Sequence, residues 1–428
     1  MLDLLTILFA LACVAVGLPI AVFCVECFAS ALPLRRRALS DGDSTAETVE
    51  LDDSPRTVVL IPAHDEAAVI GETLAHLLPT LPASARAIVI ADNCNDETAP
   101  LARIAGADVL ERRDLRRRGK GYAIEFALSK LEADPPDVVV VFDADCRGDA
   151  ELIDTIARVA HRTRRPVQAL DLVETDGPAA SIHAVSSLSF RFKNLVRPAG
   201  MARLGLPCHL MGTGMAIPWS RLRDVRLCGG NLAEDMQLGI DLAIAGFPPL
   251  FRPEVGVTSP APSERSAFVS QRTRWEQGHL ATLSTQVPRL LLAGVRRRRL
   301  DLIGMALDLA VPPLSLLVMT WAFVFVLAIA FGFFGGTWWP AGALAVQGGM
   351  MLAAVAVGWA KHCRRHVPLR VLAAIPIYML RKLPIYVSFF FKRQKQWVRT
   401  ERTVRSDPLP VRSDPLQRVD ARETHSVK

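Results

Sequence analysis

Two aspartates separated by one residue, Asp143 and Asp145, directly follow an apolar run at residues 138–142. A short continuous apolar run rich in valine is typical of a strand buried on both faces of a sheet. Since side chains alternate along an extended chain, two carboxylates one residue apart project to the same side. They can share a divalent cation, or one can bind a ribose and the other the metal. A solvated turn is the alternative for such a pair taken alone.

Acidic residues also follow two further apolar runs. Residues 57–61 precede Asp65 and Glu66, and residues 87–91 precede Asp92. In open α/β sheets, ligands bind beyond the carboxyl ends of the strands. Three acidic strand ends at one edge therefore predict a nucleotide pocket, with Asp65 or Glu66 and Asp92 placed to bind the base or the ribose.

A basic, glycine-containing segment at residues 116–121 includes Lys120 and precedes a helical pattern at residues 121–131. Glycines permit close approach of the backbone, and a helix N-terminus favours anions. The segment predicts a diphosphate-binding turn, although basic turns are also common without a ligand.

Glu234 and Asp235 are adjacent in the sequence. Transfer of a group to a hydroxyl requires a base that accepts the hydroxyl proton, and a carboxylate can do this. At a helix start the two side chains point in different directions. One is therefore a candidate base and the other a cap, while the alternative is a helix N-terminus that simply favours acids.

Gln271, Arg274 and Trp275 fall on one face of a helix, at positions i, i+3 and i+4. An amide, a guanidinium and an indole on one face can bind a diphosphate and stack on a sugar ring. An amphipathic helix at a membrane surface is the alternative, and it is compatible with the first role.

The elements that must position these residues belong to two kinds of segment. Short apolar strands alternate with helical patterns through the middle of the chain, which predicts βαβ units and a parallel sheet of Rossmann-like type. Apolar stretches at residues 4–31, 302–334 and 338–360 are long enough to span a membrane, and the second is expected to be kinked at Pro312 and Pro313. Residues 371–391 are also apolar, but they carry charges at their centre and are predicted to lie at the interface.

Half of the 428 residues are hydrophobic, and the formal net charge is +7. Clusters of arginine flank the apolar stretches, which favours anchoring at the cytoplasmic side of a membrane over nucleic-acid binding. The eight cysteines show no spacing that predicts a disulfide framework, consistent with a reducing compartment. We therefore expect no nucleic-acid partner, a bacterial inner or plasma membrane location, and a cytosolic middle domain.

The predicted organisation has five parts. They are a transmembrane helix (1–34), a linker (35–56), a cytosolic domain with interfacial helices (57–285), a C-terminal membrane region with two spans and an interfacial segment (286–391), and a disordered cytosolic tail (392–428).

Taken in this order, the motifs resemble those of the membrane-bound family-2 glycosyltransferases, which include cellulose, hyaluronan, chitin and poly-N-acetylglucosamine synthases and ceramide glucosyltransferase. The resemblance covers about residues 57–285 and the flanking membrane layout. It implies an α/β nucleotide-sugar-binding domain with flanking transmembrane helices. The implied activity is inverting, metal-dependent transfer of a hexose from a nucleotide-sugar, expected to be a UDP-sugar, with Mg²⁺ or Mn²⁺ as cofactor.

The resemblance also implies a role for each matching residue. Asp235 would be the general base, with Glu234 beside it, and Asp145 would hold the metal next to Asp143. The donor would contact Asp65, Glu66, Asp92, Lys120 and Asp143. The acceptor and diphosphate would contact the following residues: Gln271, Arg274, Trp275, and Gly212 and Thr213 of the segment 211–215.

The expected partners are a nucleotide-sugar donor, a saccharide or lipid-linked acceptor, and the lipid bilayer. A homo-oligomer or an export partner is also compatible with the sequence. Exopolysaccharide or cell-envelope glycan synthesis is the expected process. The alternatives are a non-processive lipid glycosyltransferase, since three spans are few for a polymer pore, and a non-catalytic membrane scaffold with a degenerate nucleotide-sugar fold.

Overall fold

The computed structural model describes residues 2–33, 54–174, 182–222, 234–261 and 265–391. The expected disordered tail at 392–428 and most of the expected linker at 35–56 lie outside these residues.

Eight strands form one sheet in the order β3-β2-β1-β4-β7-β6-β8-β5. The strands are Thr57–Ala63 (β1), Ala85–Asp92 (β2), Asp108–Arg112 (β3), Val138–Val141 (β4), Arg147–Gly148 (β5), Val167–Glu174 (β6), Met215–Pro218 (β7) and Leu250–Pro260 (β8).

The fourteen α-helices among the described residues follow in chain order. They are Leu2–Ala31 (α1), Ile70–Leu77 (α2), Thr98–Ile104 (α3), Lys120–Leu131 (α4), Leu152–Thr163 (α5), Ile182–Arg191 (α6), Arg197–Arg203 (α7), Trp219–Leu222 (α8), Glu234–Ile244 (α9), Arg265–Arg297 (α10), Leu300–Ala310 (α11), Leu314–Phe333 (α12), Trp339–Gly358 (α13) and Ile375–Phe391 (α14).

The sheet is mixed, whereas the sequence pattern predicted a parallel one. Strands β3, β2, β1 and β4 are parallel, but β7 runs antiparallel to both β4 and β6. Apolar runs report that a strand is buried on both faces, and they carry no information on the direction of its neighbour. The core of this sheet is built on alternate residues of the central strands, such as Val59, Ile61 and Val140, all fully buried.

Strand β3 was not predicted, because Asp108–Arg112 is short and contains three charged residues. It pairs in parallel with β2 and forms one edge of the sheet. The next three strands in the sheet are β2, β1 and β4. These are the three strands whose acidic ends the sequence analysis singled out.

Three helices are long and apolar enough to cross a membrane, in the part of the chain that the structure describes: Leu2–Ala31, Leu314–Phe333 and Trp339–Cys363. The number agrees with the three spans expected from the sequence. The expected span at 302–334 is divided into two helices at the expected kink, because α11 ends at Ala310 and α12 begins at Leu314. Prolines at 312 and 313 lack backbone N–H groups and separate the two helices.

Helix α11 packs against α9 and is separate from the candidate membrane span α12. Its buried residues Leu302, Met305 and Leu309 pack against Met236 and Ile240 of α9. Helix α10 runs without interruption from Arg265 to Arg297, so the expected domain border at residue 285 falls inside one helix.

A buried ion-pair network fastens α1 to the domain. Glu26, which is 1% exposed, accepts a hydrogen bond from Arg197 Nε at 2.6 Å, and Arg197 Nη2 also binds Asp308 of α11 at 2.5 Å. Gly200, one turn along α7, lies so close that a Cβ there would overlap the carbonyl oxygen of Glu26. A charge in an apolar helix is tolerated when it faces the protein interior and is paired, as it is here.

Candidate active site

The acidic strand ends meet at one edge because β2, β1 and β4 are parallel neighbours. Ala63 of β1 is level with Ala91 of β2, and Leu60 is level with Val141 of β4. The residues that follow these positions therefore leave the sheet at the same side. The residues expected to contact the donor therefore lie at this edge of the sheet.

Asp92 is 6% exposed and is engaged with the neighbouring strand. Its Oδ1 accepts hydrogen bonds from Arg112 Nη1 at 2.6 Å and from Asn93 Nδ2 at 2.9 Å. Burial raises the pKa of Asp92, although the Arg112 guanidinium acts in the opposite direction. Arg112 in turn donates from Nη2 to the Arg117 carbonyl at 2.8 Å, so the Asp92 pair supports the basic segment.

Asp65 and Glu66 lie in a loop that is tied to the end of β2. Asp65 has a left-handed backbone with φ of 53°, and its Oδ1 accepts the N–H of Asn95 at 2.7 Å. The Glu66 N–H donates to Thr98 Oγ1 at 2.8 Å. Asp65, Cys94 and Asp96 lie close enough to hold a cation. Asp96 already accepts hydrogen bonds from the N–H groups of Ala67 and Thr98, both at 3.0 Å. These bonds explain the cluster as one that stabilises the loop.

Lys120 lies at the first position of α4, after Gly119 with φ of 131°. Its amine donates to the Asp143 carboxylate and to the Gly212 carbonyl, the latter at 2.7 Å. Burial disfavours the charged amine, but the Asp143 carboxylate outweighs this, and the pKa of Lys120 is raised. A fixed positive charge therefore lies beside the expected metal residues, where a diphosphate would bind.

Asp143, Asp145 and Cys146 place their oxygen and sulfur atoms within 4.8 Å of one another. Cys146 is 1% exposed, and burial raises the pKa of its thiol. The other two groups of the cluster are carboxylates. Carboxylate oxygens are the ligands preferred by Mg²⁺ and Mn²⁺, so this donor set fits the expected cofactor.

The structure separates the adjacent acids at the start of α9. Glu234 Oε2 accepts the backbone N–H of Gly121 at 2.8 Å and so caps α4, and burial raises the pKa of its carboxyl. Asp235 points elsewhere: its Oδ2 lies 3.0 Å from the position that a Cβ on Gly212 would occupy, and Lys120 Nζ lies 3.7 Å from the same position. Asp235 thus lies beside Gly212 and Lys120, whereas Glu234 is hydrogen-bonded at the start of α4 and also interacts with the Lys120 charge.

The segment that contains Gly212 and Thr213 is held by Gln168, a fully buried residue of β6. The Gln168 side chain donates to the Thr213 carbonyl and accepts the N–H of Met211, both at 2.8 Å. Thr213 Oγ1 accepts the backbone N–H of Asp143 at 3.1 Å, and this bond ties the segment to the acidic turn. Gln168 was missed in the sequence, where a single amide between apolar residues was its only signal.

Gln271, Arg274 and Trp275 lie half-buried on α10. The Trp275 ring packs on Phe190 with ring centres 5.5 Å apart. Both rings line a cavity of about 60 Å³ between α6, α10 and the first residues of α12. A cavity of this volume holds a few water molecules, and the sugar-stacking role expected of Trp275 stays a prediction.

Two further residues near these groups were not predicted. Lys193 lines the Trp275 cavity from a π-helical turn at Phe192–Val196. Burial lowers the pKa of Lys193, and the Asp235 carboxylate acts in the opposite direction. Asp171 of β6 is 7% exposed, and burial, reinforced by Asp143, raises its pKa to about 8. Neither stands in a recognisable short motif, so only the tertiary structure reveals them.

A sequence model described as "Glycosyltransferase like family 2" matches residues 55–278, just over half of the chain. A probable glucomannan 4-beta-mannosyltransferase 1 from Arabidopsis thaliana is 26% identical over 260 residues, which are 55% of this chain and 45% of the relative. The chain thus spans about half the length of the curated relative that it matches.

Among solved structures, the mannosyltransferase from Pyrobaculum calidifontis in complex with GDP-Man and Mn²⁺ is similar with a TM-score of 0.51 and 17% identity, over 89% of this chain and 100% of that chain. A glucosyl-3-phosphoglycerate synthase from Mycobacterium tuberculosis with Mg²⁺ and UDP overlaps less, with a TM-score of 0.34 and 20% identity over 48% of this chain and 70% of that chain. The first likeness identifies the mixed α/β sheet as GT-A-like. With its family model, its fold and its acidic strand ends in agreement, the chain belongs to glycosyltransferase family 2.

Proposed function

We propose that this protein is an inverting, metal-dependent hexosyltransferase that moves a sugar from a nucleotide-sugar to a saccharide or lipid-linked acceptor at the cytosolic face of a membrane. The observation that carries the proposal is the convergence of Lys120, Asp143 and Asp235 around Gly212. A cationic group for a diphosphate and a carboxylate that can serve as a base thereby occupy one site.

The proposed reaction is a single displacement at the anomeric carbon. Asp235 accepts the proton of the acceptor hydroxyl as its oxygen forms the new glycosidic bond. The bond to the nucleoside diphosphate breaks on the opposite face, and Lys120 stabilises the negative charge that develops there. A Mg²⁺ or Mn²⁺ ion held by Asp145 and Asp143 would neutralise the diphosphate when bound.

The remaining site residues supply binding. Trp275 presents a ring on which the acceptor sugar stacks, with Gln271 and Arg274 on the same helix face toward the acceptor and diphosphate. Thr213 and Gly212 form the neighbouring wall. Asp65 and Glu66 are placed for the base, while Asp92 acts indirectly by holding Arg112.

The donor sugar is the least constrained part of the proposal. The residue pattern led to the expectation of a UDP-sugar, as in the synthases that the chain resembles. The curated relative is named as a mannosyltransferase, and the Pyrobaculum calidifontis structure contains GDP-Man. GDP-mannose therefore belongs in the first set of donors to be tested, beside UDP-sugars.

The membrane assignment rests on the three candidate spans and on the arginine clusters that flank them. Positive flanks favour the cytosolic side, which gives a cytosolic catalytic domain in a bacterial inner or plasma membrane. The five-part organisation, with its linker and disordered tail, is part of the same proposal. So are a membrane-bound, synthase-like subtype, a role in exopolysaccharide or cell-envelope glycan synthesis, and a homo-oligomer or export partner.

Single transfer to a lipid acceptor is the second candidate. It is favoured by the small number of candidate spans, three in the described residues, since a channel for a growing polymer requires enough helices to enclose it. Gel filtration of the labelled product separates the two cases, because a polymer elutes far ahead of a lipid that carries one sugar.

The test is to incubate membranes that contain the protein with radiolabelled GDP-mannose and a panel of UDP-sugars, with Mn²⁺ or Mg²⁺. We expect one donor to label lipid or polymer in the wild type, and no label in Asp235→Asn membranes. If no donor labels either fraction while the protein is folded and binds nucleotide, the enzyme assignment fails and the non-catalytic scaffold is favoured.

A further inference from the structure

Helix α14 is built with its polar side inward. Its buried residues are Tyr378, Lys382 and Tyr386, each no more than 5% exposed and four residues apart. On the other side Leu380 is 69% exposed. An ordinary surface helix of a soluble protein shows the reverse pattern, with its charges in water. A lysine is almost never buried without a partner, so the inward face of α14 must meet charges on another element.

The partner of Lys382 is Glu276 on α10. The Lys382 amine donates to Glu276 Oε1 and also to Ser315 Oγ at the start of α12, at 3.2 Å. Lys382 is 4% and Glu276 7% exposed. Ser315 Oγ lies 2.6 Å from the hydroxyl of Tyr386, which is one turn beyond Lys382 in α14.

A second contact fixes the preceding turn of α10. Arg272 Nη2 donates to the Tyr378 hydroxyl at 3.0 Å and to the Ser186 carbonyl of α6 at 3.3 Å. Arg272 Nε also lies 3.7 Å from Glu276 Oε1, so both contacts share one carboxylate. Arg272 and Glu276 are one turn apart, at i and i+4, and α14 therefore holds α10 at two successive turns.

These contacts bracket the residues that line the acceptor side. Trp275 directly precedes Glu276, and Gln271 directly precedes Arg272. A rotation of α10 that separated Glu276 from Lys382 would also carry the Trp275 ring away from Phe190 and out of the cavity wall. A buried ion pair is directional, and it fixes one rotation of a helix more narrowly than apolar packing does.

We propose that Lys382 of α14 is a positioning residue for glycosyl transfer, which acts through Glu276 to hold Trp275 in the acceptor site. This inference rests on the proposed function. It assigns to α14 an indirect role in aligning the acceptor, which α14 performs through α10 and not by contact with the donor.

The test is a set of full-length variants in membranes, with donor kinetics measured for the sugar nucleotide that the panel identifies. Lys382→Met keeps the length of the side chain and removes its charge. We expect its kcat to fall by roughly 10- to 100-fold, the loss typical of a displacement of about 1 Å at a reacting centre. The KM for the donor should change much less than kcat, since of the residues expected to bind the donor or its diphosphate only Gln271 and Arg274 lie on α10.

Arg381→Met is the matched control, because Arg381 is the neighbouring residue of the same helix and its side chain is exposed. It should retain the wild-type kcat. Lys382→Arg keeps the positive charge and should recover most of the activity lost in Lys382→Met. Binding of GDP and UDP with Mn²⁺, measured by calorimetry in detergent, should change much less than kcat in all variants.

Three results would overturn the proposal. They are a wild-type kcat for Lys382→Met, an equal loss for Arg381→Met, and a donor KM that worsens in step with kcat. Should Lys382→Met not accumulate, the double variant Glu276→Gln/Lys382→Met removes both charges, and its kcat is judged by the same criteria. A wild type that transfers no sugar from any donor contradicts the proposed function itself, which is a distinct outcome.

Discussion

The Glu234 carboxylate accepts the backbone N–H of Gly121 at 2.8 Å, a contact between residues 113 positions apart in the chain. It joins the start of α9 to the start of α4, the helix that carries Lys120. This bond leaves the neighbouring Asp235 as the acid that faces Gly212 and Lys120. The two adjacent carboxylates thereby have different surroundings, as the proposal of Asp235 as the base requires.

The first prediction follows from this separation. Asp235→Asn should lower the transfer rate by roughly 10²- to 10⁴-fold, the usual contribution of a general base, with donor binding retained. Glu234→Gln keeps an oxygen that can accept the Gly121 N–H, so its loss of rate should be at least tenfold smaller. Initial rates and nucleotide-binding isotherms of both variants provide the measurement. Equal losses of rate would contradict the assignment of Asp235 as the base.

The second prediction concerns the metal. Asp145→Ala should abolish stimulation by Mn²⁺ or Mg²⁺, because it removes one of the two carboxylates of the candidate site. Cys146→Ala tests the third group of the same cluster separately. Rates are to be measured across a titration of Mn²⁺ after treatment with chelator. Transfer by the wild type at full rate in excess chelator would refute a role for the metal.

The third prediction uses two glycines with positive φ. Gly212 has φ of 98° and crowds Asp235, whereas Gly246 has φ of 109° with nothing within 4 Å of an added Cβ. Gly246→Ala should cost about 1–2 kcal/mol of stability from backbone strain alone and leave the kcat unchanged. Gly212→Ala should carry a similar strain and also displace the Asp235 carboxylate, so its kcat should fall. Thermal unfolding and initial rates of the two variants separate strain from site damage.

The fourth prediction concerns pH. Burial, reinforced by Asp143, raises the pKa of Asp171 from 3.8 to about 8 in the folded protein. The folded state therefore holds a proton that the unfolded chain releases above about pH 4. The stability contributed by this group declines as the pH rises toward 8 and is lost above it.

Asp171→Asn replaces the protonated acid by a neutral amide whose oxygen can still accept the Asn194 hydrogen bond, which measures 3.1 Å in the wild type. We expect the unfolding temperature of the variant to fall less than that of the wild type between pH 5 and pH 8. The measurement is made in detergent without divalent metal, because a bound cation near Asp143 would favour the ionised form. Parallel pH profiles would contradict the raised pKa.

Local patterns in the sequence were sufficient to predict the strands and the helix that surround the candidate site. The apolar runs predicted β1, β2 and β4 within a few residues, and the helical pattern at 121–131 corresponds to α4. These segments have strong local signals, because each is apolar in a continuous run or at a regular period. Strand β3 and the antiparallel β7 were not recognised, since their pairing depends on neighbours that are distant in sequence.

The sequence by itself determined which residue types were available for chemistry and that the chain belongs with family-2 glycosyltransferases. It could not decide which of Glu234 and Asp235 faces the site, or what compensates the charge of Lys382 in an apolar helix. The tertiary structure decided both, through Gly121 in one case and Glu276 in the other. The physical reason is that the orientation and the charge balance of a side chain depend on partners more than 100 residues away, which no local pattern encodes.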